Sequence, residues 1–326
     1  MRYFRIIALL FLSSTAFGCD ICGCFMGITP YDNQSSIGLL YRYRSFNGYA
    51  GMDHKLFPRN SDFLIPSDAN GTVPHHSHGD PNDYEIFRTM ELRGRYFIHQ
   101  RVELNAIIPY NSNSYNFHGK TTTLSGLGDI NVFSGYHLLR KLKTTGISQR
   151  LITGVGLKFA SGSSELKNNA GDRFLLLNQP GTGSTDGFMY LNYMAGYKKF
   201  GISWNAAYKI NGQNKQSESI ANSTTQFVNL FYNLPISKKV KAVPSVQTFY
   251  EYTKGQKVNS VLTGEHEMNT LMTGLGLDLF YKNLALNTGL QLGAYNADTE
   301  HLRTAGRVHL GLTYNFNQLY YLLNKK

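Results

Sequence analysis

The chain reads as an all-β protein, a closed antiparallel transmembrane β-barrel of about twelve strands. Three observations carry that reading: a short export signal at the start, recurring segments of alternating apolar and polar residues, and connections that alternate long with short.

The signal comes first. Arg2 and Arg5 precede an apolar run from Ile6 to Leu12, which ends in the small-residue stretch Ala16-Phe17-Gly18. The run is shorter than the roughly 20 residues of a spanning helix, so residues 1–18 are predicted to be an export address that is removed. The remainder of the chain should work outside the cytoplasm, in the bacterial outer membrane. With 326 residues, 42% hydrophobic and 13% aromatic, the chain could bury a large core. Nothing downstream is a continuous apolar stretch of spanning length, which excludes a helical membrane protein. Glycine (32) and tyrosine (22) suit strands and turns, and three cysteines are too few for a disulfide scaffold. The formal charge of +11 drops to +9 once the two signal arginines leave, but the remaining cations are scattered, so nucleic acid is not a predicted partner.

The strands are predicted in order at 36–46, 84–98, 101–110, 127–138, 148–160, 185–198, 200–211, 223–234, 240–254, 268–281, 284–296 and 303–316. In the third, Val102, Leu104, Ala106 and Ile108 share a face opposite Glu103 and Asn105. The seventh runs Ile202-Ser203-Trp204-Asn205-Ala206-Ala207-Tyr208-Lys209-Ile210, one face apolar and the other polar or small. In the eleventh, Leu284, Leu286, Leu290 and Leu292 oppose Asn287, Gly289, Gln291 and Gly293. The last sets Val308, Leu310, Leu312, Tyr314 and Phe316 against Arg307, His309, Gly311, Thr313 and Asn315. One face wants lipid and the other wants water. Long connections (47–83, 111–126, 161–184, 212–222, 255–267) alternate with short ones (His99-Gln100, Lys199, 234–239, Asn283), and 139–147 is intermediate. Outer-membrane barrels show this asymmetry, with long loops outside and short periplasmic turns, whereas a soluble sandwich has no reason to. The organisation predicted is a signal at 1–18, a Cys-containing segment at 19–35, the barrel at 36–316 and a periplasmic tail at 317–326. Membrane lipid is the expected environment, and the pattern specifies no oligomeric state.

Three stretches carry a family resemblance. They are Arg95-Tyr96-Phe97-Ile98-His99-Gln100-Arg101-Val102-Glu103-Leu104 closing at Pro109-Tyr110, then Gly126-Leu127-Gly128-Asp129-Ile130, then Gln179-Pro180-Gly181-Thr182-Gly183-Ser184-Thr185-Asp186. In this order they resemble the meta-pathway phenol-degradation-like outer-membrane transporters. The resemblance implies a barrel related to fatty-acid-transporter-type channels that pass small or hydrophobic molecules. It names no substrate, because the motifs read as architecture: glycines for turns and close approach, Asp129 as a polar lumen or rim residue.

Strand parity predicts the lumen. If apolar faces meet lipid, Arg42 and Arg44, Arg93 and Arg95, and Arg307 and His309 all point inward. In a closed barrel the first and last strands are neighbours, so these six form one basic wall, offset by Glu91 and Glu103. Twelve strands lie between the filled interior of eight and the open channel of sixteen. Two readings are compatible with this wall: a narrow lumen favouring anionic or neutral solutes, or inward Arg and Glu that pair to fill it.

Two clusters suggest metal chemistry. Cys19, Cys22, Cys24 and Met26 offer soft ligands for copper, with a lipidated Cys19 or a lumen plug as competing readings. His75, His76, His78 and Asp80, with His54 upstream, suit zinc or Cu(II) in a long loop, or meet only water. A metal-ion uptake barrel is therefore the alternative function to a channel for hydrophobic, aromatic or anionic solutes, and no cofactor is required by either. No Gly-x-Ser-x-Gly elbow or His-Glu-x-x-His pair is present, so an enzyme is not predicted. A structural or adhesive barrel is a further class.

Overall fold

Alternation of this kind can hide its polar face only by closing the sheet on itself, and that is the architecture found. The computed structural model describes residues 34–49, 83–117, 119–141, 143, 146–263, 267–296 and 302–316. The predicted signal, the cysteine motif with Met26, the histidine loop with His54 and Asp80, and the C-terminal tail lie outside the described residues.

The strands are β1 (Ser35–Tyr49), β2 (Tyr84–His99), β3 (Val102–Phe117), β4 (Lys120–Leu127), β5 (Asn131–Lys141), β6 (Ile147–Lys158), β7 (Asp186–Tyr197), β8 (Phe200–Ile210), β9 (Glu218–Ile220), β10 (Ser223–Tyr232), β11 (Leu234–Pro235), β12 (Val240–Thr253), β13 (Gln256–Val258), β14 (Val261–Leu262), β15 (Met268–Tyr281), β16 (Leu284–Asn296) and β17 (Leu302–Phe316). Twelve staves make the wall, with β4 and β5 together forming the fourth; each pairs antiparallel with its neighbours in the chain. The ring closes where β1 meets β17, from Ser35 opposite Phe316 to Tyr49 opposite Leu302. Closure leaves no strand edge, which lets backbone polar groups cross a membrane.

Side-chain parity sorts the wall. Leu39, Leu92, Met189, Leu230, Val246, Leu275 and Leu310 stand exposed on the outside. In water such an apolar belt would far exceed any ordinary surface patch. In lipid it is the required surface, and with barrel closure it locates the chain in the bacterial outer membrane. Exposed Tyr96, Tyr136, Tyr197, Phe200, Tyr281 and Tyr314 ring the short-turn end. The turn lysines lean on this girdle: Lys198 Nζ is 5.3 Å from the Tyr197 ring and Lys282 Nζ 5.4 Å from that of Tyr281. Leu275 sits halfway along β15. Leu275→Arg should cost about 2–4 kcal/mol of bilayer stability, read from urea titration of the barrel refolded into vesicles; an unchanged midpoint would argue against a lipid-facing position.

One segment departs from the sequence reading. The sequence predicts a long loop over 111–126, but β3 runs on to Phe117 and β4 pairs back along it, from Tyr110 opposite Leu127 to Phe117 opposite Lys120. Both faces of this hairpin lie beyond the lipid belt, so the apolar half of the alternation is not needed there. Asn, Ser and Thr then fill it, which hides the strand from a pattern search. The expected strand 127–138 is correspondingly divided at 128–130. Between Tyr110–Leu127 and Ile107–Asn131 the fourth stave has one residue more than β3, a β-bulge. Pro109, which has no N–H to give, sits opposite the bulge and accepts from the Gly128 N–H at 2.9 Å.

Candidate functional site: the lumen wall and its cap

Inner positions on β17, β1 and β2 bring the predicted basic residues together. Arg42 faces His309 on β17, Leu40 faces Glu91 on β2, and Gly38 faces Arg93. Diagonal neighbours on one face of a sheet are within reach of long side chains. Glu91, 1% exposed, therefore takes ion pairs from both Arg42 and Arg93, the latter at 2.5 Å. Arg95 lies over the Phe97 ring at 5.7 Å and acts electrostatically on Glu103. Glu103, fully buried, pairs with His137 Nε2 at 3.2 Å. Arg307 stacks on Phe249 at 4.3 Å, and His309 is buried beside it on the same face.

The sequence reading missed the partners that come from distant strands. Arg44 reaches across the lumen to β12, four staves away, where its Nη1 donates to Glu251 Oε2 at 2.6 Å. It also donates to Thr304 Oγ1 at 3.2 Å and covers Phe46. Glu251 shows in the sequence as an inward position on an alternating strand, but no local signal says which arginine it meets. The residues brought together here are five guanidiniums (Arg42, Arg44, Arg93, Arg95 and Arg307) and three carboxylates (Glu91, Glu103 and Glu251), while Glu85 on β2, Asp278 on β15 and Arg150 on β6 are further buried charged residues at inner positions. Most charges of this cluster are paired, and the cluster itself holds two more guanidiniums than carboxylates.

A second site joins the two glycine-rich motifs. The bulge turns Asp129 inward, where Oδ1 accepts the Gly162 N–H at 3.0 Å and Oδ2 accepts the Thr182 N–H at 2.8 Å. Lys158 Nζ, wholly buried, lies 2.9 Å from Asp129 Oδ2 and 2.7 Å from Asp186 Oδ2, and Lys209 Nζ is 2.8 Å from Asp186. Asp186 Oδ1 also accepts the Ser184 hydroxyl and the Gly212 N–H. Two carboxylates and two ammoniums thereby hold segments 159–185 and 211–222 against the inside of the wall as a cap. Asn113 Nδ2 donates to the carbonyls of Asn178 and Gln179, and Arg173 Nη1 meets Glu218 at 2.5 Å. Close approach explains the glycines: a Cβ on Gly162 would lie 2.6 Å from the Gly128 carbonyl carbon, and one on Gly181 2.8 Å from the Gly162 backbone. Gly126-Leu127-Gly128-Asp129-Ile130 and Gln179 to Asp186 are thus two halves of one junction. Gly181→Val should break it, seen as new protease cleavage in segment 159–185 on intact cells; full protection would contradict the packing.

At the short-turn end the lumen holds an apolar cluster of Val243, Phe280 and Ala285, with Met194 and Phe231 packed against it. Among the described residues there is no group of three or more His, Cys, Asp or Glu placed to hold a metal ion.

Comparison with known proteins adds to the fold. No family model matches the chain and no curated protein matches it. An outer membrane channel from Pseudomonas putida F1 superposes with a TM-score of 0.61 at 13% identity, over 89% of this chain and all of the other. The β domain of the Bordetella autotransporter BrkA gives a TM-score of 0.47 at 8% identity, over 87% of this chain and all of that one. The first likeness extends over the whole barrel and shows a shared outer-membrane fold.

Proposed function

We propose that this barrel is a channel, not an enzyme, that passes small anionic or neutral solutes across the outer membrane. The observation that carries the reading is the charge cluster of the lumen, where five guanidiniums on β1, β2 and β17 meet three carboxylates, two on β2 and β3 and one across the lumen on β12. In a narrow passage of low dielectric such an excess repels cations and attracts anions far more strongly than it would in bulk water. Hydrophobic and aromatic solutes belong to the same reading through the family resemblance. The junction of the two glycine motifs supports placing the chain with the meta-pathway phenol-degradation-like transporters, since residues distant in sequence serve one packing. Purified protein in planar bilayers should give discrete conductance steps, and Arg42→Ala or Arg93→Ala should lower the anion preference. A barrel that adds no conductance over protein-free bilayers would overturn the channel reading.

A further inference from the structure

Cations that are scattered in the sequence gather at one end of the barrel. The short turns between β2 and β3, β5 and β6, β7 and β8, β11 and β12, and β15 and β16 each expose at least one: Arg101, Lys143, Lys198, Lys239 and Lys282 in chain order. The acids beside these turns, Glu103 and Asp278, are both buried on the lumen side. The long-loop end mixes its signs instead, with Glu165, Asp172 and Glu267 exposed and Arg173 paired to Glu218.

The turns also fix on which side of the wall their lysines lie. Tyr197 and Phe200 are opposed across β7 and β8, and Phe200 and Tyr232 across β8 and β10, so the three rings share the outer, lipid-facing side. Phe200 is 68% exposed, with its ring 5.0 Å from that of Tyr232. Lys198 Nζ lies over the Tyr197 ring at 5.3 Å and Lys199 Nζ over that of Tyr232 at 5.9 Å. Lys282 repeats the arrangement on Tyr281. Lys198 and Lys282 hold φ values of 55° and 50° at the first position of a two-residue turn, where glycine or asparagine is the easy choice. A lysine there sits against its backbone preference, and both times its ammonium ends on the outer side of the wall.

We propose that the short-turn rim is a binding belt for anionic phospholipid headgroups, of the phosphatidylglycerol type, in the leaflet it meets. In barrels of this build that leaflet is the periplasmic one. Outward tyrosines stand at headgroup depth, so an ammonium lying on such a ring is level with the lipid phosphates. Each lysine near an anionic surface is worth about fivefold in binding. Cations at every short turn suit lipid, which surrounds the barrel. An acidic protein docking onto the turns would have no use for lysines laid on lipid-facing rings. Nothing in this depends on passage through the lumen.

Trp204 is the chain's one tryptophan, and it shares the outer face of β8 with exposed Ile202, close to the Lys198-Lys199 turn. Its fluorescence therefore reports which lipids stand there. The full barrel is placed in vesicles of equal parts phosphatidylglycerol and phosphatidylcholine, with bromines on the chains of one lipid or the other. Brominated phosphatidylglycerol should quench Trp204 beyond its share of the bilayer. Lys198→Gln with Lys199→Gln should lower that preference by about fivefold or more, whereas Lys198→Arg with Lys199→Arg should keep it. Potassium chloride at about 1 M should shrink it in the unaltered barrel, a readout that needs no variant to fold. Equal quenching by the two lipids in the unaltered barrel, a preference unmoved by salt, or one retained in the folded glutamine variant would overturn the inference and leave the rim to an acidic protein.

Discussion

Asp186→Asn is expected to free the cap. Asp186 is 1% exposed and lies 2.7 Å from the Lys158 ammonium and 2.8 Å from that of Lys209. Asparagine has nearly the same shape but no charge, so the two buried ammoniums would lose the carboxylate they share, and of the two Lys158 has Asp129 beside it. Breaking a buried ion pair from one side costs about 3–5 kcal/mol, because the stranded charge remains desolvated. The cost falls on a junction that also holds the Gly212 N–H and the Ser184 hydroxyl, so both cap segments should loosen together. Trypsin on intact cells should then cut at Lys167 or Arg173, sites in the capped segment, with larger and noisier single-channel currents. Adding Lys209→Met should recover part of the lost stability by restoring charge balance, a coupling that a double-mutant cycle reads directly. Equal protection and equal stability in the single variant would contradict the junction.

Glu91→Gln should have the second large effect, on selectivity. One buried carboxylate serves Arg42 and Arg93, so the substitution removes a negative charge while both guanidiniums stay in the wall. The excess of positive charge rises by one. Preference for chloride over potassium should increase, and urea stability should fall by about 3–5 kcal/mol. Arg42→Met on the same background should reverse both changes in part. A selectivity that does not move would mean that permeating ions do not pass this wall.

The sequence discloses what is periodic and local. Leu39 outward with Arg42 and Arg44 inward follows from a period of two, and a one-residue error would have placed the arginines in lipid. The meeting of the first and last strands follows from closure, which is why the basic wall could be assembled from the sequence. The cap was not legible. Lys158 and Asp186 are directly opposed across β6 and β7, but that pairing depends on register across a long connection. Asp129 turns inward through a bulge that needs Pro109 on the neighbouring strand, 20 residues away. The hairpin at 111–127 escaped because strands beyond the lipid belt, packed here on polar cap segments, lose the apolar half of the alternation. Arg44 with Glu251 escaped for a different reason: a chord across the lumen joins side chains 207 positions apart, and nothing local distinguishes Glu251 from any other inward carboxylate.

The central claim is that charge on this wall sets what passes. Reversal potential across a planar bilayer under a potassium chloride gradient tests it most directly. The five-to-three wall predicts a potential displaced toward the chloride equilibrium value, shrinking toward zero in Arg42→Ala and Arg93→Ala. A potential displaced toward the potassium value would contradict it.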